Sequence, residues 1–213
     1  MPPRDHSEKT KTAIIQVAGR LSDERGWNNV KIEDIVAEVG VTRGAFYHYF
    51  KSREDLIYSV FIQKLADDDP FQLAEQQKEL NALERLRFAL KHSLKLQLEL
   101  AFQNDMLKIM YEPVVYKSNV FSSLEIMGNA IENLLVEGNK DGSTSVEYPK
   151  HMAHALLVIC NEWINPAIFR LSKQEFDERL SFIDLLGKRL GVPILDNELR
   201  DMLTRLYEIC RVA

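Results

Sequence analysis

The chain has 213 residues and a net charge of -5 at pH 7, a length that fits one or two domains with a sizeable core. Hydrophobic residues make up 46% of it and charged residues 28%, which is typical of a globular protein. No window of about 18 residues is apolar enough to span a membrane, and residues 1–20 lack the apolar segment of a signal peptide. We therefore expect a cytoplasmic protein without a membrane partner.

Metal and cofactor sites are not predicted. The two cysteines, Cys160 and Cys210, lie far apart in apolar helical patterns, which indicates reduced thiols and no zinc site. His151 and His154 are spaced three residues apart on a predicted helix, but no third ligand is identifiable. The chain also has no glycine-rich phosphate loop and no nucleophile elbow. We expect no cofactor, no metal and no enzymatic activity.

Apolar residues recur every three or four positions along nearly the whole chain, which predicts an all-α protein. A first helix ends before Gly26, where a left-handed residue is expected. A short second helix ends at Gly40. A third runs over 42–49 with Thr42 as its N-cap. A fourth begins at a capping box over 52–55 and stops near Asp67.

The rest of the chain predicts longer helices, with a polar loop over 137–147 between two of them. Ser172 and Glu175 form a capping box for the second-to-last helix, which Gly191 ends. The predicted helices cover about 74–102, 105–111, 121–134, 149–169, 172–190 and 199–210. We place the domain division so that residues 1–66, including a linking fourth helix, form one domain and residues 67–213 a larger one.

The second and third helices, joined by a turn with Gly40, have the form of a helix-turn-helix. Phe46 and Phe50 are spaced i, i+4 and are predicted to face a small core. Arg43 and Tyr47, also spaced i, i+4, then lie on another face. Such a helix enters a DNA major groove with its N-terminal residues toward the base edges. The segment therefore predicts a reading head for double-stranded DNA.

This segment closely resembles the TetR (tetracycline-repressor) family of bacterial transcriptional regulators. The likeness rests on Gly26, on the residues over 35–37, on Gly-Val-Thr-Arg-Gly over 40–44 and on Tyr-His-Tyr-Phe-Lys-Ser-Arg-Glu-Asp-Leu over 47–56. The resemblance implies an all-α homodimer with an N-terminal DNA-binding domain. It also implies a larger helical C-terminal domain that binds a small effector and forms the dimer. Lys31 departs from the family, which usually has a Ser or Thr cap there.

The predicted DNA contacts follow from side-chain chemistry and from the resemblance. Arg43 is expected at a base edge, because a guanidinium pairs bidentately with guanine. Gly44 lacks bulk where a backbone approaches DNA closely. Tyr49 has an alternative as core, because it neighbours two buried phenylalanines. The remaining contacts, to phosphates or a thymine methyl, are expected from Lys31, Thr42, Ala45, Tyr47, His48, Tyr49 and Lys51.

The resemblance implies an effector pocket among the middle helices and a dimer interface near the C-terminus. The pocket candidates, for a largely apolar effector, are adaptable apolar residues and polar residues in apolar helices, and ordinary core is the alternative. They are Met106, Met110, Tyr111, Phe121, Met127, His154, Asn161 and Trp163. The dimer candidates, with packing inside the chain as the alternative, are Leu156, Ile159, Trp163, Phe176, Leu180 and Ile183.

We therefore expect a ligand-responsive repressor that binds a palindromic operator as a dimer. The overall acidity does not contradict a DNA partner, because the charge is uneven. Residues 1–66 carry 10 basic and 9 acidic residues, whereas the rest carries 17 and 23. From 39 to 53 three residues are basic and none is acidic. Two alternatives stay open: a small-molecule enzyme or carrier with a vestigial helix-turn-helix, and a regulator that acts through another protein.

Overall fold

The computed structural model describes residues 4–101, 113–165 and 168–212, and within that part it contains ten α-helices and no strand. The expectation of an all-α fold is confirmed. The chain divides into two compact units, with the boundary between Asp67 and Asp68. The first unit contains α1 (Arg4–Arg25), α2 (Ile32–Val39), α3 (Arg43–Tyr49) and α4 (Arg53–Asp67). The second contains α5 (Pro70–Glu75), α6 (Ala82–Ala101), α7 (Pro113–Asp141), α8 (Pro149–Val158), α9 (Lys173–Arg189) and α10 (Asn197–Val212).

The first unit is a small helical domain around one apolar core. Its turns depend on two glycines with positive φ. Gly40 is left-handed, with φ 76° and ψ 31°, and ends α2 as predicted. Gly26 has φ 74° but ψ 149°, a glycine-type conformation with positive φ that lies outside the left-handed helical region, and it leads into a short 3-10 turn. The core consists of Ile14, Ala18, Leu21, Trp27, Val30, Ile35, Phe46, Phe50, Leu56, Ile57, Val60 and Phe61.

In the second unit, the single helix predicted over 74–102 is two helices, α5 and α6. Asp69 caps α5, because its carboxylate accepts from the backbone N–H of Phe71 at 2.9 Å. Asn81 and Glu84 then cap α6 reciprocally: the Glu84 N–H donates to the Asn81 side chain at 2.9 Å, and the Asn81 N–H donates to the Glu84 carboxylate at 3.0 Å. This second cap makes α6 begin as a separate helix. The apolar spacing in the sequence continues across the cap, so it did not reveal the break between α5 and α6.

Helix α7 extends to Asp141, so the prediction of a loop from residue 137 is wrong for its first five residues. Gly138 is tolerated in the helix because the following loop folds back over it. A Cβ there would lie 2.5 Å from the Thr144 hydroxyl oxygen, which is closer than atoms can pack. The Thr144 hydroxyl donates to the Leu135 carbonyl at 3.2 Å, which fixes the loop on the helix.

Helix α8 begins at Pro149, as predicted, and passes into a π-helical turn over Ile159–Trp163. The helix predicted over 105–111 lies outside the described residues, and so does Pro166 within the helix predicted over 149–169. The capping box of α9 is confirmed: Ser172 accepts from the Glu175 N–H at 3.2 Å and its own N–H donates to the Glu175 carboxylate at 3.0 Å. Gly191, with φ 78°, follows the end of α9.

Two apolar clusters form the core of the second unit. The larger joins α5, α6, α7 and α8 and includes Leu86, Ile131 and Leu135. The smaller joins α9 and α10, where the Phe176 and Tyr207 rings stack with centroids 4.4 Å apart. The Tyr207 hydroxyl donates to a backbone carbonyl at 3.1 Å, so this fully buried phenol is satisfied.

Candidate nucleic-acid interface and ligand cavity

Helix α3 has one buried face and one exposed face. Phe46 and Phe50 are fully buried, and each contributes on the order of 1.5–3 kcal/mol by burial. The polar side chains stand on the opposite side: Arg43, Tyr47 and His48 are exposed. Because the buried phenylalanines fix the rotation of α3, its polar face is presented to solvent as a rigid set.

The N-terminus of α3 is positioned by its cap. The Thr42 hydroxyl accepts from the Ala45 N–H at 3.1 Å, so Thr42 is the N-cap that the sequence predicted. Gly44 is exposed, and a Cβ there would have the Thr42 hydroxyl oxygen as its nearest neighbour, at 3.8 Å. That separation is ordinary van der Waals contact. Nothing within the first unit therefore requires glycine at position 44.

The remaining predicted DNA contacts lie around this face. Lys31 is exposed and begins α2 without a side-chain cap; its N–H donates to the Asp34 carboxylate at 3.3 Å, which is the reciprocal half of a capping box, while the acceptor that a Ser or Thr would supply is missing. Lys51 is exposed, and its N–H donates to the Asp55 carboxylate at 2.9 Å. Ala45 and Tyr49 are half-buried, so they offer only part of their surface to a partner.

Arg53 lies near the same segment but has a structural role. Its guanidinium donates to the carbonyls of Trp27 and Val30, the latter at 3.4 Å, and its Cζ lies over the Trp27 indole, 5.9 Å from the ring centroid. These contacts hold α4 against the 3-10 turn.

Lys11 was not among the predicted DNA contacts, yet its ammonium lies 5.8 Å from the Phe50 ring centroid, close to the end of α3. A basic residue on another helix gives no periodic signal in the sequence.

Arg43 is held on the surface by two neighbours. Its guanidinium nitrogen Nη1 lies 2.8 Å from the Glu33 carboxylate, and its Cζ lies 5.8 Å from the Tyr47 ring centroid. A hydrogen bond with the Tyr47 side chain, and then the charge of Glu33, raise the pKa of Arg43 above its usual value. The guanidinium is therefore a fixed cation at the start of α3. Glu33 was missed as a site residue, because its place in the first turn of α2 has a sufficient explanation in the helix dipole.

The second unit encloses a cavity of about 60 Å³. Its walls are mainly leucine and isoleucine side chains, and no charged residue of the described chain lines it. Burial raises the pKa of the Cys160 thiol to about 12, so this group is neutral at pH 7 as well. The polar groups in the wall are Ser93, Gln97, Cys160 and Asn161.

The π-helical turn brings polar atoms to the cavity. Cys160 and Asn161 both line it and both lie within that turn, where the widened helix changes the direction of successive side chains. The Ser93 hydroxyl donates to the Ala89 carbonyl at 3.0 Å and keeps its acceptor lone pairs. Ser93, Gln97 and Cys160 were missed by the sequence prediction. The signal for the first two was a polar pair at i, i+4 within the leucine spine of α6.

The predicted pocket residues separate into distinct places. Met127 and Asn161 line the cavity. Phe121 is 57% exposed. His154 packs against α7, where a Cβ on Gly128 would lie 3.0 Å from its ring. The remaining candidates, Met106, Met110 and Tyr111, lie outside the described residues.

Trp163, predicted for both the pocket and the dimer, belongs to a cluster of aromatic side chains around Arg179. Its ring meets Phe182 edge to face with centroids 5.7 Å apart. The Arg179 guanidinium lies 4.8 Å from the Trp163 ring centroid and 5.1 Å from that of Phe169. Phe182 is 50% exposed and Leu185, one turn along, is 53% exposed. We call these five residues the aromatic patch.

Three of the other predicted dimer residues are buried within the chain. Phe176, Leu180 and Ile183 are at most 3% exposed and form the cluster between α9 and α10, which is the alternative that the sequence had left open. Ile159 packs against the same cluster, and Leu156 lines the cavity. Both are half-buried, so their dimer contact stays a prediction. The apolar arc of α9 was wide enough to contain both a core face and an exposed face, and periodicity did not separate them.

Helices α2 and α3 form a helix-turn-helix with an exposed polar face on α3. Residues 14–60 match the family described as "Bacterial regulatory proteins, tetR family". The likeness to this family is thus shown for that segment of the chain. It is 26% identical over 135 residues to the transcriptional regulator AcrR of Shigella flexneri, covering 63% of this chain and 61% of AcrR. It is 31% identical over 68 residues to the transposon Tn10 TetC protein of Escherichia coli, covering 32% and 34%. The chain spans less than two thirds of the length of both relatives.

Solved structures agree with the fold. A TetR-family regulator from Pectobacterium atrosepticum superposes with a TM-score of 0.58 at 20% identity, covering 89% of this chain and 98% of that one. The regulator RolR, solved with resorcinol, superposes with a TM-score of 0.56 at 21% identity, covering 95% and 97%. At this level of identity, the two likenesses show a shared fold. Within the described residues no helix is long and apolar enough to cross a membrane.

Proposed function

We propose that the protein is a ligand-responsive transcriptional repressor of the bacterial cytoplasm that binds a palindromic operator as a homodimer. The observation that carries the proposal is the exposed face of α3, with Arg43, Tyr47 and His48 on a helix whose rotation two buried phenylalanines fix. A short rigid helix with a cation at its first turn suits a major groove. A small-molecule effector would release the operator.

Base reading is assigned to Arg43 and register to the residues around it. The guanidinium can donate two hydrogen bonds to guanine O6 and N7, which distinguishes guanine from the other bases. Tyr47, His48 and Lys51 are exposed and suited to phosphate oxygens, which fix position without reading sequence. Lys11, near the end of α3, is a further phosphate contact.

Selection of binding sites from random double-stranded DNA by the full-length protein tests the proposal. The expected result is a palindrome whose half-sites lie roughly 34–36 Å apart along the DNA axis. On the selected site, Arg43→Ala should relax discrimination at one base pair in each half-site, at a cost of about 1–3 kcal/mol. Lys51→Ala should weaken all sequences alike and lower the salt slope by about one. No enriched sequence at low salt would contradict the proposal.

The dimer interface is proposed at the aromatic patch. Tryptophan and arginine are the residue types most enriched among interface residues that dominate binding energy. Phe182 and Leu185 add exposed apolar surface on the same helix, which a second copy would remove from water. A closed two-fold dimer places the same patch of both copies together.

The substitution Phe182→Ser tests this interface. We expect it to convert the dimer to a monomer in sedimentation velocity at micromolar concentration. Phe121→Ser is the matched control, because Phe121 is similarly exposed but lies on α7 outside the patch. It should leave the dimer intact. The same oligomeric state in both variants would contradict the aromatic patch as the dimer interface. That result would not bear on the proposed DNA recognition by α3.

The effector is proposed to be a small neutral molecule, mainly apolar, with one or two hydrogen-bonding groups. Among the described residues, the cavity wall has no charged side chain to compensate an ion, whose burial without a partner is costly. The Asn161 and Gln97 amides line the cavity, so both are placed to serve a ligand. The volume of about 60 Å³ is far below the roughly 300–1,000 Å³ of most ligand pockets.

A ligand of ordinary size must therefore widen the cavity. It would then bind an expanded state better than the structure described here, and such a difference in affinity is what shifts a conformational equilibrium. Thermal unfolding with toluene and phenol, against benzoate and benzylammonium as charged controls, tests the chemistry. The neutral pair should raise the melting temperature and the ions should not. Asn161→Leu should remove the advantage of phenol over toluene, roughly 2- to 12-fold in affinity. Stabilisation by an ion instead would contradict the assignment.

A further inference from the structure

The carboxylate of Glu33 stands directly beside the residue assigned to base reading. Its Oε1 lies 2.8 Å from Arg43 Nη1, and both side chains are more than half exposed. A group this close to the reading guanidinium comes with it to the DNA surface. There it meets phosphates of its own sign, so the contact has a cost when DNA binds.

The other acidic groups of α2 are engaged elsewhere. Glu38 pairs with Arg20 of α1, and Asp34 accepts the Lys31 N–H and lies 3.8 Å from Arg25. Glu33 alone among the three is paired with a residue of α3 in the described part of the chain. Since a free arginine side chain has rotamer entropy to lose when it binds, a partner that fixes the guanidinium changes how it meets DNA.

From this contact we propose that Glu33 is a specificity-determining residue that positions Arg43. This inference rests on the proposed DNA-binding function. Glu33 holds the guanidinium at the first turn of α3. The guanidinium leaves Glu33 only where guanine offers two acceptors in the right geometry. At other base pairs the ion pair persists, and Arg43 does not turn to a nearby phosphate. Glu33 thus lowers affinity chiefly for the wrong sequence, and the selected site keeps nearly its full affinity.

The test uses the full-length protein and the site that the wild type selects from random DNA. Dissociation constants are measured by fluorescence anisotropy on that site, on sites changed at the base pair that Arg43 reads, and on unrelated DNA. Glu33→Gln removes the charge and nearly preserves shape. Glu38→Gln is the matched control, because it makes the same change on the same helix beside Arg20.

We expect Glu33→Gln to bind unrelated DNA roughly three- to fivefold more tightly, with discrimination at the Arg43 base pair reduced by about the same factor. Glu38→Gln should leave discrimination at that base pair unchanged. In the Arg43→Ala background, Glu33→Gln should no longer change discrimination, because the side chain it positions is gone. Circular dichroism melting of each variant confirms that the compared proteins are folded.

Unchanged discrimination in Glu33→Gln, below about a twofold difference, would overturn the inference while selective binding by the wild type leaves the proposed function standing. Failure of the wild type to select any site would instead count against the proposed function. A readout without DNA completes the test: the Arg43 side-chain Nε–H resonance in the free protein should shift and sharpen in Glu33→Gln as the guanidinium becomes mobile. No change in that resonance would also contradict the positioning role.

Discussion

Gly44→Ala separates what the fold requires from what DNA requires. Gly44 lies in the first turn of α3 without a positive φ, and an added Cβ would be 3.8 Å from its nearest neighbour. Alanine is the better helix former by roughly 0.5–1 kcal/mol. The fold should therefore gain that amount of stability. For a chain of this size the gain corresponds to a rise in melting temperature of about 1–4 °C.

DNA binding should change in the opposite direction. If α3 meets the groove at this exposed position, the extra methyl group enters a tightly packed contact, and overpacking costs about 1–3 kcal/mol. The affinity for the selected site should fall by roughly 5- to 150-fold. Thermal unfolding and fluorescence anisotropy on the same protein sample measure the two effects.

Ala37→Gly is the reciprocal control, because Ala37 is exposed on α2 and the change lowers helix propensity without adding bulk. It should lower stability and leave DNA affinity unaltered. A Gly44→Ala protein that binds DNA as tightly as the wild type would refute the close approach at position 44. A Gly44→Ala protein that is less stable than the wild type would refute the description of the α3 terminus.

Three further predictions concern the second unit. Gly138→Ala should destabilise it by about 1–3 kcal/mol in chemical denaturation, despite the better helix propensity of alanine, because its Cβ would overlap the Thr144 hydroxyl; a stabilised variant would contradict this packing. Ser172→Ala should cost about 1 kcal/mol through loss of the α9 cap, whereas Ser181→Ala within α9 should cost less; equal losses would contradict the capping role. Hydrogen bonds from the Ser143 side chain, and from the backbone of Ala82 and Ser143, lower the pKa of Asp141, so its stabilising contribution is complete above its ordinary pKa and is lost as the pH falls through the lowered value. Between pH 6 and pH 2, the free energy of unfolding should accordingly fall less steeply with pH in Asp141→Asn than in the wild type. An equally steep fall in both proteins would exclude Asp141 as a source of the pH dependence.

The first unit was largely predictable from sequence, because its structure is determined by local signals. Gly40, the Thr42 cap and the buried Phe46 and Phe50 act within a few residues of one another, and each leaves a recognisable pattern. Fold class followed from helical periodicity alone. The ψ of 149° at Gly26 was not predictable, since the sequence indicates a positive φ but not the accompanying ψ.

The second unit was less predictable, because its features depend on contacts between distant residues. Gly138 reads as a helix breaker, but the loop that returns over it makes a small residue necessary within the helix. The π-helical turn that brings Cys160 and Asn161 to the cavity leaves no mark in the apolar spacing. Phe182 and Phe176 are both apolar residues of α9, and only the structure places one in solvent and the other in the core.

The central claim is that the α3 face reads DNA sequence, and the most direct measurement is the affinity ratio between the selected palindrome and unrelated DNA of equal length. We expect a ratio of roughly 10³ or more for the wild type at physiological salt, and a marked loss of that ratio in Arg43→Ala. A wild-type ratio near one, or a ratio that Arg43→Ala leaves intact, would contradict the assignment of this helix as the reading head.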